Sequence, residues 1–463
     1  MTFNDILGAL GSTVVLPLFI FLFAFCFKVK PGVAFKSAIY IGIALVGINM
    51  VLGFFGAQVT DTVNMMVDQS KVNLPYLDVS WGVTAAIAYS TRIGLLIIPF
   101  ALIVNLILLA LKITDTLNID IWNFWHFALV GGLAYYATDN MLLGFFAAGM
   151  MELYALLFAD WCQPATRQYY GYEGISFTTV SSVEYMPFAI IVNKLLDLIG
   201  LDKVKLDPEN IQKRLKLIGD PAILGLIIGF AIGVIAHWKT LGSFESWVSI
   251  LAVSMVVAAV MHIFPMMPRI LMSGLVPISN GIRDTMSKIG FKRQINFGMD
   301  TALCCGETST LSSSLIMVPI CIFLMFALPY NKFLWIADLL AFPWFFALIT
   351  PVTKGNILKN VIIGSVYLCI GDFIITQLTP FLTDVARSTG YEIAAGVSGI
   401  NAGGEGISWL LYGLFRGATS PIGMIVIVGV YVVLLITFKR HKKTFFRLAG
   451  ADIQEEKPIE VQA

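Results

Sequence analysis

Four short stretches hold side chains suited to a polar solute, and each borders apolar sequence. Asp300-Thr301-Ala302-Leu303-Cys304-Cys305-Gly306-Glu307-Thr308-Ser309-Thr310 carries two carboxylates and a ladder of hydroxyls, then runs through Ser312, Ser313 and Ser314 into Leu-Ile-Met-Val-Pro-Ile-Cys. Asp300 and Glu307 share a face if the run is helical, with Thr308 beside Glu307. Polar groups at the mouth of an apolar run are costly in lipid, so they should face protein, water or a solute. In Asp120-Ile-Trp122-Asn123-Phe-Trp125-His126 an amide, an imidazole and flat indoles fall on one helical stripe. That suits a polyol or sugar, whose C–H faces stack on rings and whose hydroxyls need donors and acceptors. An interfacial aromatic belt with one satisfied histidine would use the same residues, and the pattern leaves both readings open.

Glu173, which precedes Gly174 and an apolar helix, reads equally as an intramembrane acceptor or as a helix cap. In Asn401-Ala-Gly403-Gly404-Glu405-Gly406-Ile-Ser408-Trp409 the paired glycines permit close backbone approach, while Asn401, Glu405 and Ser408 offer polar contacts. The candidate substrate contacts are therefore Asn123, His126, Glu173, Asp300, Glu307, Thr308, Asn401 and Glu405.

Other chemistry is disfavoured. The sequence shows no catalytic triad and no phosphate loop, since Gly403-Gly404 lacks the lysine and the strand–helix context. Six cysteines lie scattered without a C-x-x-C pair and read as small buried hydrophobes, so neither a metal nor a cofactor is expected. Four dispersed histidines argue against an intramembrane enzyme.

The elements that position these groups follow from composition. The 463 residues are 58% hydrophobic and 13% charged, with mean hydropathy +0.84. Soluble domains carry about 25% charged residues, so this is an all-α polytopic membrane protein. A formal net charge of +1 gives no sign of nucleic-acid binding. Apolar windows long enough to span stand at 12–28, 36–56, 92–112, 124–138, 141–158, 217–237, 246–264, 311–329, 333–352, 357–378 and 417–438. The stretches 78–91, 174–200, 265–282 and 395–414 are apolar but interrupted, and read as re-entrant or broken helices lining a cavity.

Met-Thr-Phe-Asn-Asp-Ile-Leu lacks a basic n-region, so no cleavable signal peptide is expected. Lys28, Lys30 and Lys36 after the first span, and Lys439, Arg440, Lys442, Lys443 and Arg447 after the last, place both basic clusters on the cytoplasmic side, so the N-terminus lies outside and the C-terminus is cytoplasmic. Residues 1–438 then form the transmembrane permease domain, 202–216 a basic cytoplasmic helix or loop, and 439–463 a cytoplasmic tail.

The halves echo each other. Gly11-Ser12-Thr13 followed by Pro17 is answered by Gly306-Glu307-Thr308 followed by Pro319, and the broken segment at Asp78-Val-Ser-Trp81 by that at Asn401–Trp409. Paired broken segments in a shared order indicate two structural repeats, about 8–200 and 300–438, inverted and enclosing a central substrate site.

With these motifs assembled, the chain resembles the galactitol-type permease (enzyme IIC) of the bacterial phosphoenolpyruvate:sugar phosphotransferase system. The resemblance runs from Gly11 to the last span. It is carried by Asp120-Ile-Trp122-Asn123-x-Trp125-His126, Asp160-Trp161 with Glu173-Gly174-Ile175, Ile211-Gln212-Lys213-Arg214 before Gly219-Asp220-Pro221, Gly298-Met-Asp300 with Gly306-x-Thr308, and Gly403-Gly404 with Trp409. The family pattern has histidine where this chain has Glu307.

The resemblance implies a permease in the bacterial cell membrane that presents a galactitol-like polyol, or a related hexose, to a phosphocysteine on a separate IIB protein. It also implies a separate IIA protein, a relation to ascorbate-type permeases and a homodimer. The rival expectation is a proton- or sodium-coupled secondary transporter using Asp300, Glu307 and Glu405.

Overall fold

Lipid leaves backbone polar groups no partner but the chain itself, and the long apolar windows answer this by forming helices. The computed structural model describes residues 12–26, 29–70, 74–204, 206, 220–263, 295–335, 337–393 and 397–453, with isolated positions between 266 and 281. The basic segment 202–216 lies outside these beyond its first residues, as does half of 265–282.

The chain is mostly helical and multi-pass. Among the described residues, five helices are long and apolar enough to cross a membrane: Met141–Tyr170, Phe244–Ile263, Thr308–Ala327, Ile357–Ser388 and Pro421–Arg440. A sixth crossing arises if Ser80–Ser90 and Gly94–Ala110, bent by 84° at their junction, count as one span. Pro421–Arg440 leaves Ile422, Ile425 and Val433 exposed, as a lipid-facing helix should.

The chain is mostly helical, as expected, and carries short strands besides. Each interrupted segment that is described pairs its broken backbone in a short strand before turning into a helix. The strands are β1 (Tyr76–Asp78), β2 (Thr116–Asn118), β3 (Ile175–Phe177), β4 (Asn296–Met299), β5 (Phe333–Leu334) and β6 (Gly399–Asn401). They form two parallel three-stranded sheets, ordered β5-β1-β6 and β2-β4-β3. Non-helical backbone at membrane depth is thereby hydrogen-bonded internally.

The registers join distant parts of the chain. Asp78 lies opposite Asn401, Leu77 opposite Leu334, and Gly298 opposite both Asn118 and Ser176. Gly298 is required there, because a Cβ would stand 2.8 Å from Thr178 Cγ2 and 3.0 Å from Asn118 Cα. The polar segments at 78–81 and 401–409, matched in sequence as counterparts, are side-by-side neighbours in one sheet.

The window 333–352 is not one span either. It divides into β5, the 3-10 turn Ala337–Ala341, and the short helices Phe342–Ala347 and Ile349–Val352. Pro343 stands at the first turn of the former, where its missing N–H costs nothing. At the other end of the chain, Lys442–Leu448 packs on Met141–Tyr170, with Trp161 Nε1 donating to the Phe445 carbonyl at 2.6 Å.

Candidate functional site

Each of the six strands among the described residues hands over to a helix or a helical turn, and residues just beyond every one of them line a single cavity. Trp81 follows β1; Asp120, Trp122 and Asn123 follow β2; Thr179 and Ser181 follow β3. Asp300 and Ala302 follow β4, Trp335 and Asp338 follow β5, and Gly404 and Glu405 follow β6. The space between these residues, counted together with the open solvent at its mouth, is about 920 Å³. Helix N-termini tolerate carboxylates because their free N–H groups and dipoles favour negative charge. That is how several acids can gather here.

Asp300 is the most connected of them. Its Oδ1 accepts from the Ala302 N–H at 2.9 Å, from Trp344 Nε1 at 2.9 Å and from the Thr179 hydroxyl at 3.4 Å. Its Oδ2 accepts from Asn123 Nδ2 at 2.9 Å. The same amide nitrogen donates to Asp120 Oδ2 at 2.7 Å, so its two protons hold two carboxylates in place. Tyr89 steadies that turn by donating to the Trp122 carbonyl at 2.6 Å.

The opposite wall follows the same plan. Asp338 Oδ1 accepts from the Trp81 N–H and Oδ2 from the Gly404 N–H, both at 3.0 Å. Asp78 in turn accepts from the Asp338 N–H at 2.7 Å.

His126 lies one turn beyond Asn123, buried, with its ring stacked on Trp125 at 4.0 Å between centroids. Its Nδ1 is 2.8 Å from the Asn123 carbonyl oxygen. Its Nε2 points at Glu405 Oε1, 3.5 Å away. Trp125 Nε1, His126 Nε2 and Glu405 Oε2 are buried and have no hydrogen-bond partner among the described residues. A donor, a nitrogen and an acceptor left unpaired around one cavity match what a hydroxylated solute supplies.

Of the eight sequence candidates, Asn123, His126, Asp300 and Glu405 come together at this cavity. The others stand elsewhere. Glu173 is largely exposed and 3.7 Å from Arg167. Glu307 caps the helix Thr308–Ala327, accepting from the Ser309 and Thr310 N–H groups at 2.9 Å each. Thr308, in the first turn, accepts through its carbonyl from the Ser312 hydroxyl at 2.6 Å. Asn401 donates to the Thr379 hydroxyl at 3.2 Å and accepts from the Ala402 N–H at 2.9 Å.

The hydroxyl ladder faces protein. Ser309 donates to the Gly355 carbonyl, Thr310 to the Thr350 hydroxyl, and Asn360 to the Ser313 hydroxyl. Asp160 is structural too, collecting Thr114, Thr116 and the Asp115 N–H at the start of β2.

Asp120 and Asp338 were missed as site residues. Asp120 stood inside the aromatic cluster already singled out. Asp338 is the only charged side chain in 333–352, and an ionisable residue within an apolar run is itself a signal. No group of three metal-ligating side chains occurs among the described residues.

A cavity of indoles and carboxylates between broken membrane segments defines a permease for a polar solute. The sequence specifies which kind. Residues 5–396 match the family EIIC-GAT, the PTS system sugar-specific permease component, and the chain belongs to that family. It is 30% identical over 436 residues to the PTS system galactitol-specific EIIC component of Escherichia coli strain K12, covering 94% of this chain and 95% of that one. It is 29% identical over 443 residues to a putative permease IIC component of the same organism, covering 95% and 99%. The chain is thus the membrane-embedded permease subunit of a sugar phosphotransferase system, working with IIA and IIB proteins.

Proposed function

We propose that the cavity binds a galactitol-like sugar alcohol and presents one hydroxyl to the phosphocysteine of a separate IIB protein. The observation that carries this reading is the meeting of unpaired Trp125 Nε1, His126 Nε2 and Glu405 Oε2 in a cavity walled by indole rings. Asn123, His126, Asp300 and Glu405 contact the polyol, joined by Asp120 and Trp125, while Trp81, Trp122 and Trp344 stack on its C–H faces. Glu307, Thr308 and Asn401 support the site through the elements that carry it, and Glu173 lies outside it.

The architecture proposed is a pair of inverted repeats. Exchanging β1 with β4, β2 with β5 and β3 with β6 turns the order β5-β1-β6 into β2-β4-β3, which supports a twofold relation. Because β4 precedes residue 300, that relation moves the second repeat from the expected 300–438 to about 221–418, bounded by Pro221 and Ala418, against about 12–198 for the first. The sheet β2-β4-β3 then faces the cytoplasm and the N-terminus lies outside. In support, Lys439 donates to the Lys112 carbonyl and Lys442 pairs with Asp115, both just before β2. The working unit is a homodimer related to the ascorbate-type permeases.

The test is substrate-stimulated phosphorylation in proteoliposomes with phosphoenolpyruvate and the cognate IIA and IIB proteins, across a panel of alditols and hexoses. Galactitol or a near relative is the expected phosphate acceptor. Accumulation of unmodified substrate on a proton or sodium gradient, without phosphoenolpyruvate, would overturn the proposal.

A further inference from the structure

We infer that His126 is the general base of phosphoryl transfer, taking the proton of the reacting hydroxyl on Nε2, with Glu405 holding the resulting imidazolium. This rests on the phosphotransferase reading of the cavity. The first support is the tautomer. A carbonyl oxygen only accepts, so the 2.8 Å contact between Nδ1 and the Asn123 carbonyl puts the ring proton of neutral His126 on Nδ1. Nε2 is then a bare lone pair, buried and facing the cavity.

The second support is what stands opposite. Glu405 Oε1 is 3.5 Å from Nε2, and a carboxylate and a lone pair cannot bond to each other. Both await a donor, and neither Nε2 nor Oε2 finds one among the described residues. A substrate hydroxyl donating to Nε2 fills that gap.

The other cavity acids are engaged. Asp300 takes donors on both oxygens, Asp338 takes a backbone N–H on each, and Asp120 Oδ2 takes the Asn123 amide. Glu405 as the base would leave a neutral acid beside a neutral ring. His126 as the base leaves an imidazolium against a carboxylate and over the Trp125 face, both of which stabilise it.

The step balances. The substrate O–H bond breaks and its proton goes to Nε2, while the hydroxyl oxygen forms a bond to phosphorus. The P–S bond of the IIB phosphocysteine breaks, and its electron pair leaves on sulfur as thiolate. The imidazolium later returns its proton to solvent as the sugar phosphate departs.

The test compares galactitol binding by calorimetry with single-turnover transfer from phosphorylated IIB, using full-length permease in lipid. His126→Gln, whose amide reaches toward the Nε2 position but cannot take a proton, should weaken binding by about tenfold at most, for the altered sugar contact, and slow transfer by a further factor of about 10²–10⁴. Glu405→Gln should slow transfer by about tenfold or more. Transfer by His126→Gln at the wild-type rate, or binding that falls as far as the rate, would overturn the inference. Wild-type permease that neither binds nor accepts phosphate onto any sugar would overturn the permease reading instead, and this inference with it. Independent of folding by the variant, ¹⁵N spectra of permease lacking His237, His262 and His441 should show the His126 proton on Nδ1. A proton on Nε2 would refute the assignment.

Discussion

Replacing Asn123 by leucine keeps the volume near the original and deletes the one amide that donates to both Asp120 and Asp300, at 2.7 and 2.9 Å. Each is a charge-assisted hydrogen bond worth about 1.5–3 kcal/mol, because its loss strands a carboxylate that has given up water. Two such losses sum to about 3–6 kcal/mol, and water entering the cavity recovers roughly a third to a half of that. A net cost near 2–4 kcal/mol follows, shared between folding and the bound state. With half of that cost, about 1–2 kcal/mol, falling on the bound state, galactitol binding measured by calorimetry should weaken by roughly 5- to 30-fold at about 1.4 kcal/mol per tenfold, with a lowered unfolding temperature. A double-mutant cycle with Asp300→Asn isolates the shared bond, and its coupling should exceed about 1 kcal/mol. Affinity and melting within threefold and 1 °C of wild type, or additive effects in the cycle, would refute the bridge.

Three further outcomes separate the cavity from its supports. Gly403→Ala would set a Cβ 2.5 Å from the Trp335 ring and 3.1 Å from Asp338 Cβ. That overpacking costs about 1–3 kcal/mol and should displace Trp335, seen as a shift in tryptophan fluorescence together with weakened sugar binding. Glu307→Ala removes a helix cap and should cost about 1 kcal/mol of stability in a thermal melt while leaving Kd for the sugar within twofold. Glu173→Gln breaks an exposed ion pair with Arg167, worth about 0–1 kcal/mol, so uptake and phosphorylation rates should match wild type.

Some of this was legible in the residues. A charge content of 13% and repeated windows of apolar length can only be accommodated in lipid. The interruptions at 78–91, 174–200 and 395–414 fall where strands β1, β3 and β6 turn into short helices, because a helix cannot pass glycine and polar clusters unaided. The stripe Asn123–His126 reached the cavity because its helical spacing fixes the two residues on one face.

Other residues needed their neighbours. A carboxylate just before an apolar helix is compatible with a solute contact and with a cap, and only the positions of the Ser309 and Thr310 N–H groups make Glu307 a cap. Asp300 in the same stretch reaches the cavity because β4 carries it there.

The sequence by itself determined the class of protein, the broken character of its membrane segments and four of the polar residues at the cavity, since burial cost and helical period are local properties. Only the tertiary structure decided that six strands of two to four residues pair across the whole chain length, bringing Asp78 to Asn401 and Asn123 to Asp300. Strands that short carry almost no periodicity of their own. Their partners are chosen by the packing of helices far away in sequence, and with them the composition of the site.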